Sequence, residues 1–84
     1  MYHNILKAYE HAKDEVERWY DLVTKYDKHD EFKKDDSIEA VYWIGRAVML
    51  NMILEKDFGI SDMKEERNQL EDKKSELKGI IEEL

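Results

Sequence analysis

The residues most able to do chemistry in this 84-residue chain are its carboxylates, and they recur at helical intervals. Glu10, Asp14, Glu17 and Asp21 are spaced four, three and four, which stacks them on one face of a helix. Glu65, Asp72, Glu76 and Glu83 form a second group toward the C-terminus. Carboxylates repeated along a rigid rod can gather a divalent cation, or imitate a phosphate backbone and fill the basic groove of a nucleic-acid-handling enzyme. The plain competitor is a solvated face: Lys13, Arg18, Lys25 and Lys28 stand beside the first row at helical spacings and are placed to pair with it.

Catalytic chemistry finds little further support. Helical phosphohydrolases hold magnesium with paired Glu-x-x-Glu and Glu-x-x-Asp motifs on adjacent helices. Here Asp14-x-x-Glu17 stands alone, because no carboxylate lies between Glu39 and Glu55. A helical enzyme that grips a dianion needs several inward cations, and the chain has only three arginines. His3 and His11 are eight residues apart, His29 sits in a charged run, and there is no cysteine, so neither a zinc set nor a thiolate nucleophile is expected. Tyr2, Tyr9, Tyr20 and Tyr26, with Trp19, could stack on bases, but on an acidic chain at seven-residue spacing they fit core positions better. Lys33-Lys34 and Lys73-Lys74 are too short to track phosphates, and no glycine-rich phosphate loop or nucleophile elbow occurs. The expectation is a non-enzymatic protein without a metal or cofactor.

The elements that carry these residues read as helices throughout. Proline is absent and only three glycines occur, too few turn signals for a sandwich or barrel. Tyr2, Tyr9, Val16 and Val23 repeat every seven residues, with Ile5, Ala12, Trp19 and Tyr26 three positions on, which predicts a long first helix over about 3–28. The charged run 29–36 reads as a connection, with Phe32 pinning it to the core. Asp36 or Ser37 then caps a second helix over about 37–57 that stops at Gly59. Ser61 is the expected cap of a third helix over about 62–83, where Met63, Leu70, Leu77 and Leu84 repeat every seven. The fold class is all-α, a single-domain three-helix antiparallel, coiled-coil-like bundle.

The second helix sets the functional expectation. Ile38, Val41, Tyr42, Gly45, Val48, Met49 and Met52 line one side, and Trp43, Ile44, Ala47, Leu50 and Leu54 much of the other. A helix apolar on both sides must be covered on both. We therefore expect the bundle to be completed as a homodimer through Trp43, Ile44, Ala47, Leu50 and Leu54, with Arg46 and Asn51 setting register there or turning to solvent. A net charge of −7 disfavours direct binding to nucleic acid or an anionic membrane. No signal peptide is recognisable at the start, and the apolar stretch is short for a membrane span, so a cytoplasmic location is expected. Lysines outnumber arginines eleven to three, a bias common in AT-rich bacteria and their phages, whose small acidic proteins often act as stoichiometric inhibitors. The leading expectation is thus binding to another protein with a basic surface, the acidic rows mimicking nucleic acid. The alternatives are a self-assembling scaffold or spacer and, more remotely, an enzyme whose site spans a dimer.

Overall fold

The computed structural model describes residues 1–26 and 29–84. It contains three helices, α1 (Tyr2–Asp21), α2 (Asp30–Lys56) and α3 (Met63–Glu83), with one π-helical turn, Leu22–Tyr26, continuing α1. All three pack against one another and no strand occurs among the described residues, so the protein is an all-α bundle. Cross-contacts fix the directions. Tyr2 meets Phe58 and His11 meets Trp43, so α2 runs antiparallel to α1. Tyr9 meets Glu66 and Tyr20 meets Glu76, so α3 runs parallel to α1. The result is a rod of 42 × 19 × 16 Å.

The core follows three interlocking seven-residue patterns. From α1 come Tyr9, Ala12, Val16 and, within the π-turn, Val23; from α3 come Met63, Leu70 and Leu77. The α2 contribution is Ser37, Ala40, Ile44, Ala47, Asn51 and Leu54, spaced three and four alternately and all fully enclosed. Such spacing is that of a coiled-coil seam, whose knobs fill holes on the facing helices. The third helix therefore packs on its own chain.

Several expected boundaries move. The charged run is not a connection: α2 already begins at Asp30, with Asp30 and Glu31 in its first turn, where carboxylates offset the exposed amides. Ser37 is not a cap but a buried helical residue whose hydroxyl donates to the Lys33 carbonyl at 2.7 Å. Phe32 is exposed and lies against His29 rather than the core. The expected end of the first helix at residue 28, and Lys28 as a partner of the acidic row, lie outside the described residues. Before that point the π-turn adds a residue to one helical turn and slips the seven-residue pattern. Tyr26 consequently leaves the core and is 67 % exposed.

The link between α2 and α3 behaves as its glycine suggests. Gly59 adopts φ 68°, a left-handed conformation that costs glycine nothing, and Ile60 donates back to the Leu54 carbonyl at 3.1 Å. Ser61 does not cap α3. Asp62 holds that position, itself at φ 67° and without a side-chain capping bond; Asp tolerates this region better than most residues.

Candidate functional site

Four of the residues expected to meet a second chain are instead enclosed by their own. Ile44, Ala47, Asn51 and Leu54 point into the bundle, and Trp43 and Leu50 are half-buried at its margin. Of the two apolar sides of α2, both spaced by threes and fours, the one that carries Asn51 turns inward, and Asn51 finds its bonding partners on α1 and α3. Trp43 packs edge-on against His11, which occupies that histidine on α1. Arg46 is exposed, lies over the Tyr42 and Trp43 rings and donates to the Tyr42 hydroxyl at 3.1 Å.

Asn51 does not turn to solvent; it is buried and bridges the three helices of its own chain. Its amide nitrogen donates to the Tyr9 hydroxyl (3.0 Å) and to the Met63 carbonyl (2.8 Å), and its oxygen accepts from Arg67 (3.1 Å). Arg67 also pairs with Glu55 at 2.9 Å. The Tyr9 hydroxyl donates onward to Glu66 (3.0 Å), which pairs with Lys13 at 2.9 Å. Burial, reinforced by the Glu66 carboxylate, pushes the Tyr9 phenol up to about 12. The hydrogen bond from Lys13, with that from Tyr9, holds Glu66 below the usual carboxylate range against a smaller opposing effect of burial. With all hydrogen-bonding positions of the Asn51 side chain but one filled inside the chain, the network is a lock rather than an open reactive centre. In the sequence, Glu66 and Arg67 interrupt the apolar repeat between Met63 and Leu70, a visible trace of this network, whereas its partners leave none.

The acidic rows remain at the surface. Glu10, Asp14 and Glu17 are exposed and form no ion pair among the described residues, whereas Asp21 is held by Lys25 at 3.5 Å. On α3, Glu65, Asp72 and Glu83 are exposed, and Glu76 accepts the Tyr20 hydroxyl across the α1–α3 groove. That hydrogen bond raises the Tyr20 phenol above its ordinary value. Lys13 and Lys73 stand in the same groove beside Glu17 and Glu66, so the two rows do not merge into one negative strip. Of the pairings expected beside the first row, Lys25 joins Asp21 as anticipated, Arg18 turns to Glu15, and Lys13 crosses to Glu66. No cluster of three or more histidine, aspartate or glutamate side chains able to hold a metal occurs among the described residues.

The feature that stands out is the opposite side of α2. Ile38, Tyr42, Gly45, Met49, Met52 and Lys56 are spaced four and three alternately, a second seven-residue seam facing solvent. Ile38 is 50 %, Tyr42 53 %, Met49 59 % and Met52 38 % exposed. Together they present about 400 Å² of largely apolar surface, at the level of the largest patches that monomers carry and often use. Beside this seam the C-terminal half of α2 and the flank of α3 enclose a groove of about 430 Å³. Its floor is Gly45, Val48, Met49, Met52 and Ile53, and Lys56, Asp57, Glu71 and Lys74 form the rim. By length and composition α2 is long and apolar enough to cross a bilayer, a test that the core helix of a bundle also passes. Comparison with known protein families, curated proteins and solved structures finds no match, so function is argued from this geometry.

Proposed function

We propose that the protein is a non-enzymatic module that works by stoichiometric protein–protein binding, with the exposed face of α2 as its contact surface. The observation that carries this reading is the second seam of α2, apolar and regularly spaced, lying beside a groove with a charged rim. Methionines suit such a surface, because their flexible thioethers adapt to a partner's shape. Affinity would come from covering the apolar seam, and the charged rim would orient the partner. The test is capture of partners from nuclease-treated lysate of the source cells, comparing the wild type with Met49→Glu. Loss of a stoichiometric partner in the variant is expected; equal capture by both removes this face from the reading.

A second reading rests on the exposed row Glu10, Asp14 and Glu17, without ion pairs among the described residues, which would steer the protein toward a basic surface such as that of a nucleic-acid-handling enzyme. Its signature is a salt-sensitive complex displaced by nucleic acid.

A further inference from the structure

We infer that the occupant of the α2 face is a second copy of the same chain, the two α2 helices pairing antiparallel about a two-fold axis midway between Gly45 and Met49. This deepens the binding reading above and rests on it. Four observations converge on this arrangement.

The first is self-complementarity. A two-fold interface requires each copy to carry both the projection and the recess that receives it. Here the N-terminal half of the seam offers Ile38 and Tyr42 as projections, and the C-terminal half, with α3, forms the groove. Antiparallel pairing places Ile38 opposite Lys56, Tyr42 opposite Met52 and Gly45 opposite Met49 of the second copy. Each copy's two projections then enter the other's groove.

The second is Gly45. It sits in the middle of a long helix, where glycine is unfavourable by about 1 kcal/mol relative to alanine. A Cβ placed there meets nothing within 4 Å, so nothing in its own chain requires the missing side chain. At the centre of the seam, opposite Met49 of the second copy, its absence lets the helices approach and gives the methionine room.

The third is charge. In the antiparallel register Lys56 of one copy, opposite Ile38, comes beside Glu39 and within one turn of Asp35 of the other. A parallel pair would instead set Asp35 against Asp35 and Lys56 against Lys56, a repulsion at each end.

The fourth is area. Two copies of the exposed seam supply about 800 Å², so a stable pair, which needs about 1,200 Å² or more, must also cover the groove walls, as the antiparallel arrangement does.

The experiment is sedimentation of the purified full chain from low micromolar to millimolar concentration. The expected result is a species of about twice the 10.2 kDa chain mass, lost in Met49→Glu while helicity is kept. Because the chain has no cysteine, orientation is read directly by mixing Tyr42→Cys with Met52→Cys under oxidation. A mixed disulfide dimer exceeding either homodimer is expected. Single-chain mass at every concentration overturns self-pairing, as does a dimer that Met49→Glu leaves intact; preferential Tyr42→Cys homodimers overturn the antiparallel register. A monomer whose lysate capture still depends on Met49 refutes only the self-pairing, whereas a monomer whose capture is insensitive to Met49→Glu refutes the binding reading as well.

Discussion

Replacing Asn51 by alanine tests whether the buried network holds the bundle. The side chain makes two hydrogen bonds to neutral groups and one with the Arg67 guanidinium. At about 1 kcal/mol for each neutral bond and about 1.5–3 kcal/mol for the charged one, the gross interaction approaches 4 kcal/mol. Part is retained, because Tyr9 keeps Glu66 and Arg67 keeps Glu55, while the vacated volume adds a packing loss. A net loss of about 3 kcal/mol is expected for Asn51→Ala. A domain of this size has total stability on the order of 4–12 kcal/mol, so the loss is a large share of it. The thermal midpoint should fall by roughly 20 °C. Asn51→Leu is the informative companion: it fills the space but makes none of the three bonds, so it should recover only the packing part of the loss and stay about 2 kcal/mol below wild type. Urea unfolding followed by circular dichroism measures both variants. A loss below about 1 kcal/mol for Asn51→Ala would refute the claim that this amide ties the helices together.

Other expectations follow from the same geometry. Folded Tyr9 keeps its proton up to about 12 while the unfolded phenol releases it near 10, so this contribution is complete below pH 10 and lost as pH rises to 12; Tyr9→Phe should flatten the alkaline limb of a stability–pH curve. Glu66 works at the other end, its contribution present above the unfolded carboxylate range and lost as acid protonates it, so Glu66→Gln should flatten the acid limb. Gly59→Ala should destabilise by about 1 kcal/mol because φ 68° strains a side chain, whereas Gly79→Ala, in open helix, should stabilise by about 0.5–1 kcal/mol, both read from urea midpoints. Ile44→Asp should unfold the chain at room temperature, while Ile38→Asp on the opposite side of α2 should keep native helicity by circular dichroism. Reversing Glu10, Asp14 and Glu17 to lysine should leave the unfolding midpoint nearly unchanged; a large drop would show that the row has a structural role.

The sequence makes the three helices legible because each carries a seven-residue stripe, and Gly59 marks the α2–α3 turn through a conformation few other residues accept. Two features resist that reading. The run from Asp30 to Asp36 looks like a loop because it is almost wholly charged, yet a helix whose first turns project beyond the core needs no apolar stripe there. The choice of inner face on α2 is hidden more deeply. With apolar residues on both sides, the pattern alone does not orient the helix, and by spacing Ile44 and Leu50 are equally suited to a partner. What decides it is Asn51, which shares its face with Ile44, Ala47 and Leu54 and finds bonding partners only on α1 and α3. Those partners, Tyr9, the Met63 carbonyl and Arg67, are set by the tertiary fold and have no local signature.

The placement of Asn51 also makes the helices interdependent along the chain. Two of its three bonds go to residues of α3, which lie C-terminal to every other part of the network. A nascent chain that has delivered only α1 and α2 can offer Asn51 no more than the Tyr9 hydroxyl, so pairing those helices early leaves a polar group half satisfied in an apolar contact. The α1–α2 hairpin alone therefore cannot satisfy this amide, and the three helices depend on one another through it, the last of them completing what the first two leave open.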